Sequence, residues 1–222
     1  MEAAIESAIA RMSYLFELGG PVVMVLLGVS VGVVALVLYK LWQFSAAGVG
    51  RHKALKAAVS AWDAGQHAQA QKDLRASNSY LASVIAEAFA SSGQAQDRLL
   101  AQAEMRFSRL ERGFRFLDTV AQLAPLLGLF GTVLGMIDAF QALQDAGAQV
   151  DPSILAGGIW VALLTTAVGL VVAMPAAMIL AWFEGRMQAE RVTAETLLLT
   201  VLHPMDARGA VPDPSTGALA HA

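Results

Sequence analysis

Three long runs of residues without charge divide the chain, and polar stretches separate them. The runs cover 22 residues at 18–39, 19 residues at 119–137 and 32 residues at 152–183. A helix needs about 20 apolar residues to cross a bilayer, because all of its backbone polar groups must be satisfied internally. The pattern therefore predicts three membrane-spanning helices. The third would be roughly 48 Å long at 1.5 Å per residue, so it would project beyond the hydrocarbon core.

The first 17 residues carry the wrong charge for a cleaved signal peptide. They contain Glu2, Glu6 and Glu17 against a single Arg11, and the apolar run that follows is too long for a signal peptide. One helical face would carry Ile5, Ile9, Met12 and Phe16. Two interpretations stay open at this point: a short helix lying on the membrane surface, or a frayed terminus.

Lysine and arginine indicate the orientation in the membrane. Of the 15 such residues, 11 lie between the first and second runs, and three more follow the third run. The loop between the second and third runs has none, but it contains Asp138, Asp145 and Asp151. Because positively charged loops stay in the cytoplasm, the N-terminus is expected on the outer side of the membrane and the C-terminus in the cytoplasm.

The predicted fold is an all-α, polytopic membrane protein with three transmembrane helices, two of them long and extending into the cytoplasm. One continuous helix is predicted from about Gln94 to about Leu143, and turns are predicted at Asn78, Ser79 and 91–93. The expected segments are a periplasmic N-terminal segment (1–17), the first transmembrane helix (18–42), a cytoplasmic helical region (43–118), the second transmembrane helix (119–140), a short periplasmic loop (141–152), the third transmembrane helix (153–183), its cytoplasmic extension (184–203) and a disordered tail (204–222).

Small side chains recur along one face of both the second and the third run. Such faces let helix backbones approach closely in lipid, and the alternating steps of four and three predict left-handed, near-parallel packing. Gly131 and Gly135 also form a GxxxG pair, and Pro175 is expected to kink the third helix. The predicted packing residues are Ala121, Pro125, Gly128, Gly131, Gly135, Ala162, Gly169, Ala173 and Pro175.

Thr132, Thr165 and Thr166 are the most polar side chains deep in these two runs. Each hydroxyl could bond back to a carbonyl of its own helix and do nothing further, which is common in membrane helices. The alternative is that the three line a polar path. No ionisable residue lies in the middle of any run, although proton pathways through membranes normally need an ionisable relay. A titrating carboxylate would therefore have to come from a partner.

Composition removes several classes of function. The chain is 56% hydrophobic and 15% charged, has a net charge of −3 and contains no cysteine. These values give no indication of a nucleic-acid partner, a disulfide scaffold or thiol chemistry. The four histidines lie outside the apolar runs. No metal site, cofactor or nucleophile–base arrangement is expected, and an enzyme is not predicted.

Two stretches of the chain resemble the MotA/TolQ/ExbB proton-channel family. They are LAPLLGLFGTVLGMIDAF in the second run and LAGGIWVALLTTAVGLVVAMPA in the third. The three-helix layout is closest to ExbB- or TolQ-type subunits. The resemblance implies a homopentamer around a central pore that holds single-span ExbD- or TolR-like subunits with an intramembrane aspartate. It also implies a TonB- or TolA-like protein as the recipient of the work.

The resemblance also assigns roles to individual positions. It puts Thr132 and Thr166 opposite the partner aspartate as pore-lining groups, with Thr165 as a third candidate. ExbB and TolQ commonly carry a glutamate early in the third helix, where this chain has Val161. The expected function is the channel-forming subunit of a proton-driven motor that energises outer-membrane transport. The alternatives are a TolQ-like subunit for envelope maintenance and a non-conducting scaffold of the same fold.

Overall fold

Seven helices make up the part of the chain that the computed structural model describes, namely residues 2–91, 96–145 and 152–204, with side chains from residue 20 onward except residue 154. These ranges contain no strand. The helices are α1 (Glu2–Ala47), α2 (Lys53–Asp63), α3 (His67–Arg75), α4 (Ala82–Ala90), α5 (Gln96–Glu111), α6 (Phe114–Asp145) and α7 (Pro152–Leu202).

Three helices are long and apolar enough to cross a membrane: Gly20–Ala47 in α1, Phe114–Asp145 and Leu155–Leu202 in α7. The prediction of an all-α polytopic membrane protein is confirmed. The third helix runs for 51 residues, so its uncharged part at 152–183 can span the bilayer while a charged continuation from Glu184 extends beyond it. The predicted disordered tail and most of the predicted periplasmic loop lie outside the described residues.

The first compact unit comprises Met1–Leu41 and Arg112–Gly185. Its interior is small for its length, and Leu26, Leu117 and Phe183 are the largest apolar side chains with no exposed surface. Many other large apolar side chains face outward, which suits a lipid environment because acyl chains solvate them as well as a protein core would. These include Leu126, Phe130, Trp160, Met174, Met178 and Trp182.

Two glycines interrupt helices in this unit. Gly20 has φ 63° and ψ −167° within α1, directly before Pro21, whose ring disfavours a helical conformation in the preceding residue. The prediction of one continuous helix from Gln94 to Leu143 is wrong, because α5 ends at Glu111 and α6 begins at Phe114, with Gly113 in the turn between them. Gly113 has φ 96°, which side chains other than glycine rarely tolerate.

The second compact unit comprises Trp42–Glu111 and Arg186–Ala222. Short helices α2 to α5 and the end of α7 bury Leu55, Ile85 and Leu198. The rings of Trp62 and Phe89 stack at a centroid distance of 4.1 Å. The turn predicted at Asn78 and Ser79 is confirmed between α3 and α4. Ser91 follows the end of α4 as predicted, whereas residues 92 and 93 lie outside the described ranges.

A buried polar cluster joins three chain segments of the second unit. Nε2 of His52 lies 2.6 Å from Oε2 of Glu190, and the hydroxyl of Tyr80 donates to the same oxygen at 2.8 Å. Burial alone would raise the pKa of Glu190, but the hydrogen bonds from His52 and Tyr80 and the charge of Arg186 hold this pKa below its usual value. Burial and the Glu190 carboxylate raise the pKa of Tyr80. The carboxylate is therefore stabilised in its ionised form.

Candidate functional site

Helices α6 and α7 pack against each other along a seam of small residues. A Cβ atom added to Gly169 would lie 2.6 Å from the carbonyl oxygen of Ala124, and one added to Gly135 would lie 3.1 Å from Cβ of Ala162. The partner number falls along α7 as the residue number rises along α6, so the helices are antiparallel. Glycine is needed at Gly169, because the backbone of α6 occupies the space that a side chain would take. At Gly135 a side chain would fit if the helices moved apart by a few tenths of an ångström.

The observed seam is offset from the predicted one. Predicted packing residues Gly128, Gly131, Gly135, Ala162 and Gly169 do lie at the contact. Among the other predicted packing residues, Ala173 is buried, Ala121 and Pro125 are partly buried and Pro175 is exposed in a helix that continues through it.

Sequence reasoning missed Ala124, which is buried, and Gly158, which packs against Ala139. Positions 124, 128, 131 and 135 also step by four, three and four. The stripe predicted from the sequence has the same spacing and shares Gly128 and Gly135 with them; it consists of Ala121, Pro125, Gly128, Thr132, Gly135 and Ala139. Spacing alone therefore could not distinguish the two stripes.

Thr165 sits inside the seam. Its side chain is buried, and its hydroxyl approaches the carbonyl oxygen of Ala162 in its own helix at 2.7 Å and that of Gly128 in α6 at 3.2 Å. Opposite it, a Cβ atom on Gly131 would lie 2.6 Å from the Thr165 hydroxyl oxygen. Gly131 thus leaves the space that the Thr165 side chain fills.

The contact between Gly131 and Thr165 determines where their chain neighbours point. Successive residues of a helix are rotated by about 100° around its axis. In an antiparallel pair, the rotations that follow two facing residues carry the next residue of each helix to the same flank of the pair. Thr132 and Thr166 therefore lie on one flank of the α6–α7 pair, as neighbours of a shared contact.

These two threonines differ in their hydrogen bonding. The Thr132 side chain is partly buried, and its hydroxyl donates to the carbonyl oxygen of Leu129 at 2.6 Å. The hydroxyl oxygen of Thr166 is enclosed and has no hydrogen-bond partner among the described residues. Bonding within the helix thus occurs at Thr132 and Thr165 but not at Thr166. A buried hydroxyl without a partner is uncommon in proteins, and this sets Thr166 apart from the other two threonines.

The charged side chains nearest to Thr132 in the sequence lie at the two ends of the spanning segment of α6. Asp118 is exposed and accepts a hydrogen bond from the Gln122 amide at 2.6 Å, and Asp138 is also exposed. Val161 is partly buried in α7. The described residues contain no group of three or more His, Cys, Asp or Glu side chains that could hold a metal ion. The helix pair itself therefore offers small surfaces and hydroxyl groups, without a titratable side chain in its spanning part.

The fold and this seam define a polytopic all-α membrane protein whose two long helices pack through small residues and carry threonines on one flank. The model of the MotA/TolQ/ExbB proton channel family matches residues 76–196, more than half of the chain, and the chain belongs to this family. The matched region includes α4, α5, α6 and the spanning part of α7, whereas α2 and α3 lie outside it.

Individual relatives are similar over shorter stretches. Biopolymer transport protein exbB1 of Vibrio cholerae is 45% identical over 64 residues, which cover 29% of this chain and 28% of that protein. The Tol-Pal system protein TolQ of Haemophilus influenzae is 49% identical over 69 residues, covering 31% and 30%. Biopolymer transport protein ExbB of Salmonella typhimurium is 35% identical over 91 residues, covering 41% and 37%. The matches thus span less than two fifths of the length of these curated relatives.

Proposed function

We propose that this chain is the channel-forming subunit of an ExbB–ExbD-like motor in the bacterial inner membrane. The motor uses the proton motive force to energise a TonB-like protein for outer-membrane transport. In this proposal the chain is a homopentamer, with its N-terminus in the periplasm and its C-terminus in the cytoplasm. A single-span partner of the ExbD or TolR type contributes the intramembrane aspartate that the spanning segments of this chain lack.

The observation that carries the proposal is the pair Thr132 and Thr166 on one flank of α6 and α7. Their hydroxyls are polar groups in a region without ionisable side chains, and the Thr166 hydroxyl has no partner among the described residues. A carboxyl group brought in by another chain would supply the missing hydrogen bond once the Thr166 side chain turns to expose its enclosed hydroxyl. A proton could then pass to and from that carboxyl group beside groups that can both donate and accept.

Co-purification tests the assembly. The tagged full-length chain is extracted in mild detergent together with the small single-span protein encoded beside it, and the subunits are counted by native mass spectrometry. The expected result is a complex of five copies with a partner that has an aspartate in its spanning segment. Recovery of the chain without such a partner would contradict the proposal of a proton-driven motor.

Substitution tests the path. Thr132→Val combined with Thr166→Val preserves side-chain shape and removes both hydroxyls, so proton-driven uptake should fall sharply while membrane insertion is unchanged. Unchanged uptake would reject the pore assignment and favour a non-conducting scaffold of the same fold. Val161→Glu introduces the carboxylate that ExbB and TolQ commonly carry. If the wild-type complex, which has Val161, already conducts protons, this carboxylate is dispensable here.

A TolQ-like role in envelope maintenance is the second candidate, because the TolQ relative has 49% identity over 69 residues. The two roles differ in the phenotype of a deletion strain. Loss of uptake of a scarce outer-membrane substrate with an intact envelope supports the first role. Leakage of periplasmic proteins and defective constriction during division support the second, with TolA- and TolR-like partners.

A further inference from the structure

We propose that Thr165 is a positioning residue that holds α6 and α7 at one rotation about their axes and so keeps Thr132 and Thr166 on a common flank. The inference rests on the proposed function, because it concerns the presentation of the two threonines assigned to the path. It gives Thr165 a role different from theirs.

The hydrogen bonding of Thr165 separates it from other threonines of α7. Its hydroxyl has one proton, which it shares between Ala162 O of its own helix at 2.7 Å and Gly128 O of the opposite helix at 3.2 Å. The hydroxyls of Thr193 and Thr196 donate instead to carbonyl oxygens four residues earlier in α7. A bond between helices restrains their rotation and sliding, whereas a bond within one helix does not.

The close fit around Thr165 also restrains the rotation of α6 and α7. Gly131 leaves room for the Thr165 side chain, and a methyl group there would collide with both its hydroxyl oxygen and its Cβ, at 2.6 Å and 2.7 Å. Rotation of either helix would move the side chain out of this space towards backbone atoms. Since Thr132 follows Gly131 and Thr166 follows Thr165, any such rotation also moves the two path threonines.

A disulfide reporter can measure the rotation directly, because the chain contains no cysteine. The Cβ positions of residues 135 and 162 are 3.1 Å apart, close to the range that a disulfide requires. Gly135→Cys with Ala162→Cys should therefore oxidise readily in the full complex. Gly135→Cys with Leu163→Cys serves as the misaligned pair, because the exposed side chain of Leu163 points away from the seam.

Three substitutions at Thr165 are then compared in both reporter backgrounds and in uptake assays. Thr165→Val keeps the shape and removes the hydroxyl. It should lower the ratio of aligned to misaligned oxidation by about threefold, the equilibrium effect of an average hydrogen bond between membrane helices, and uptake should fall with it. Thr165→Ser retains the hydroxyl and should restore both readouts. Thr165→Ala gives a second variant without the hydroxyl, should the valine variant fail to insert.

Thr196→Val is the matched control, and neither readout should change. An unchanged oxidation ratio in both Thr165→Val and Thr165→Ala would overturn the positioning role. The outcome for the proposed function is separate, since that depends on Thr132→Val combined with Thr166→Val. If the double variant retains uptake while Thr165→Val still alters the oxidation ratio, the pore assignment fails and the positioning of the helices stands.

Discussion

His52 and Glu190 are 138 residues apart in the chain, yet their side chains meet at 2.6 Å in the interior of the second unit. Both are almost completely buried, with 6% and 4% of their side-chain surfaces exposed. The other imidazole nitrogen lies 3.1 Å from the hydroxyl of Ser79. The carboxylate thus connects the start of α2 and the loop before α4 to the last helix.

Removal of the Glu190 carboxylate should destabilise the second unit. Glu190→Ala leaves the buried His52 ring and the Tyr80 hydroxyl without their shared acceptor, and a buried donor left unsatisfied costs about 1–3 kcal/mol. Chemical denaturation of the detergent-solubilised protein, followed by intrinsic tryptophan fluorescence, measures the change. Glu195→Ala alters an exposed glutamate of the same helix and should shift the free energy of unfolding by about 0.5 kcal/mol at most.

The contribution of Glu190 should also depend on pH. Its pKa is lower in the folded protein than the ordinary value of 4.5. Its ionised form therefore stabilises the fold above that ordinary value, and the stabilisation is lost as the pH falls through the folded pKa. Glu190→Gln imitates the protonated carboxyl group, so the difference in free energy of unfolding between wild type and this variant should be full at pH 7 and shrink below about pH 4.5.

A difference that stays constant as the solution is acidified would show that the hydrogen bonds of Glu190, and not its charge, stabilise the cluster. Measurements at several pH values with the wild type and Glu190→Gln side by side distinguish these two outcomes.

Arg191 should resist replacement by lysine. Its guanidinium contacts Glu104 at 2.9 Å and Glu111 at 2.7 Å, and these bonds raise the pKa of Arg191. A lysine ammonium lacks the planar fork that can serve two carboxylates at once. Arg191→Lys should speed hydrogen exchange of the α5 amides by about fivefold, equivalent to about 1 kcal/mol for a partly exposed network.

The control for this experiment is Arg98→Lys. Arg98 pairs with Glu87 at 3.1 Å, but both side chains are largely exposed, and such pairs contribute little. Equal exchange rates in the two lysine variants would mean that the bridge across Glu104 and Glu111 adds no stability.

The sequence was sufficient for the three spans and the length of α7, because uncharged runs and charge asymmetry depend on local composition. It was insufficient where a contact between residues far apart in the sequence determines the local structure. Gly113 looked compatible with a continuous helix, since an isolated glycine in a helical pattern is tolerated. Only the packing of Leu36, whose Cδ1 would lie 3.0 Å from a Cβ atom there, shows how little room a side chain would have. The same holds for His52 and Glu190, which no spacing rule could pair.

The helix break itself can be tested at Gly113. Gly113→Ala places a side chain at φ 96° and against Leu36, and a residue other than glycine in such a conformation costs about 1–3 kcal/mol. We expect a lower midpoint in thermal unfolding followed by circular dichroism. Gly65→Ala has a comparable φ of 73° but open space around its Cβ position, so it measures the backbone strain alone. A larger loss at Gly113 than at Gly65 would isolate the contribution of the contact with Leu36.

Two glycines of α7 give opposite predictions for the same substitution. A Cβ atom on Gly169 would lie 2.6 Å from the backbone oxygen of Ala124, whereas one on Gly185 would meet nothing within 4 Å. Backbone atoms cannot move aside as a flexible side chain can, so Gly169→Ala should separate α6 from α7 and cost about 1–3 kcal/mol. Gly185→Ala should stabilise α7 by about 0.5–1 kcal/mol, because alanine favours a helix interior. Unfolding in mixed detergent with increasing dodecyl sulfate measures both, and equal midpoints for the two variants would contradict the close approach of the helices at Gly169.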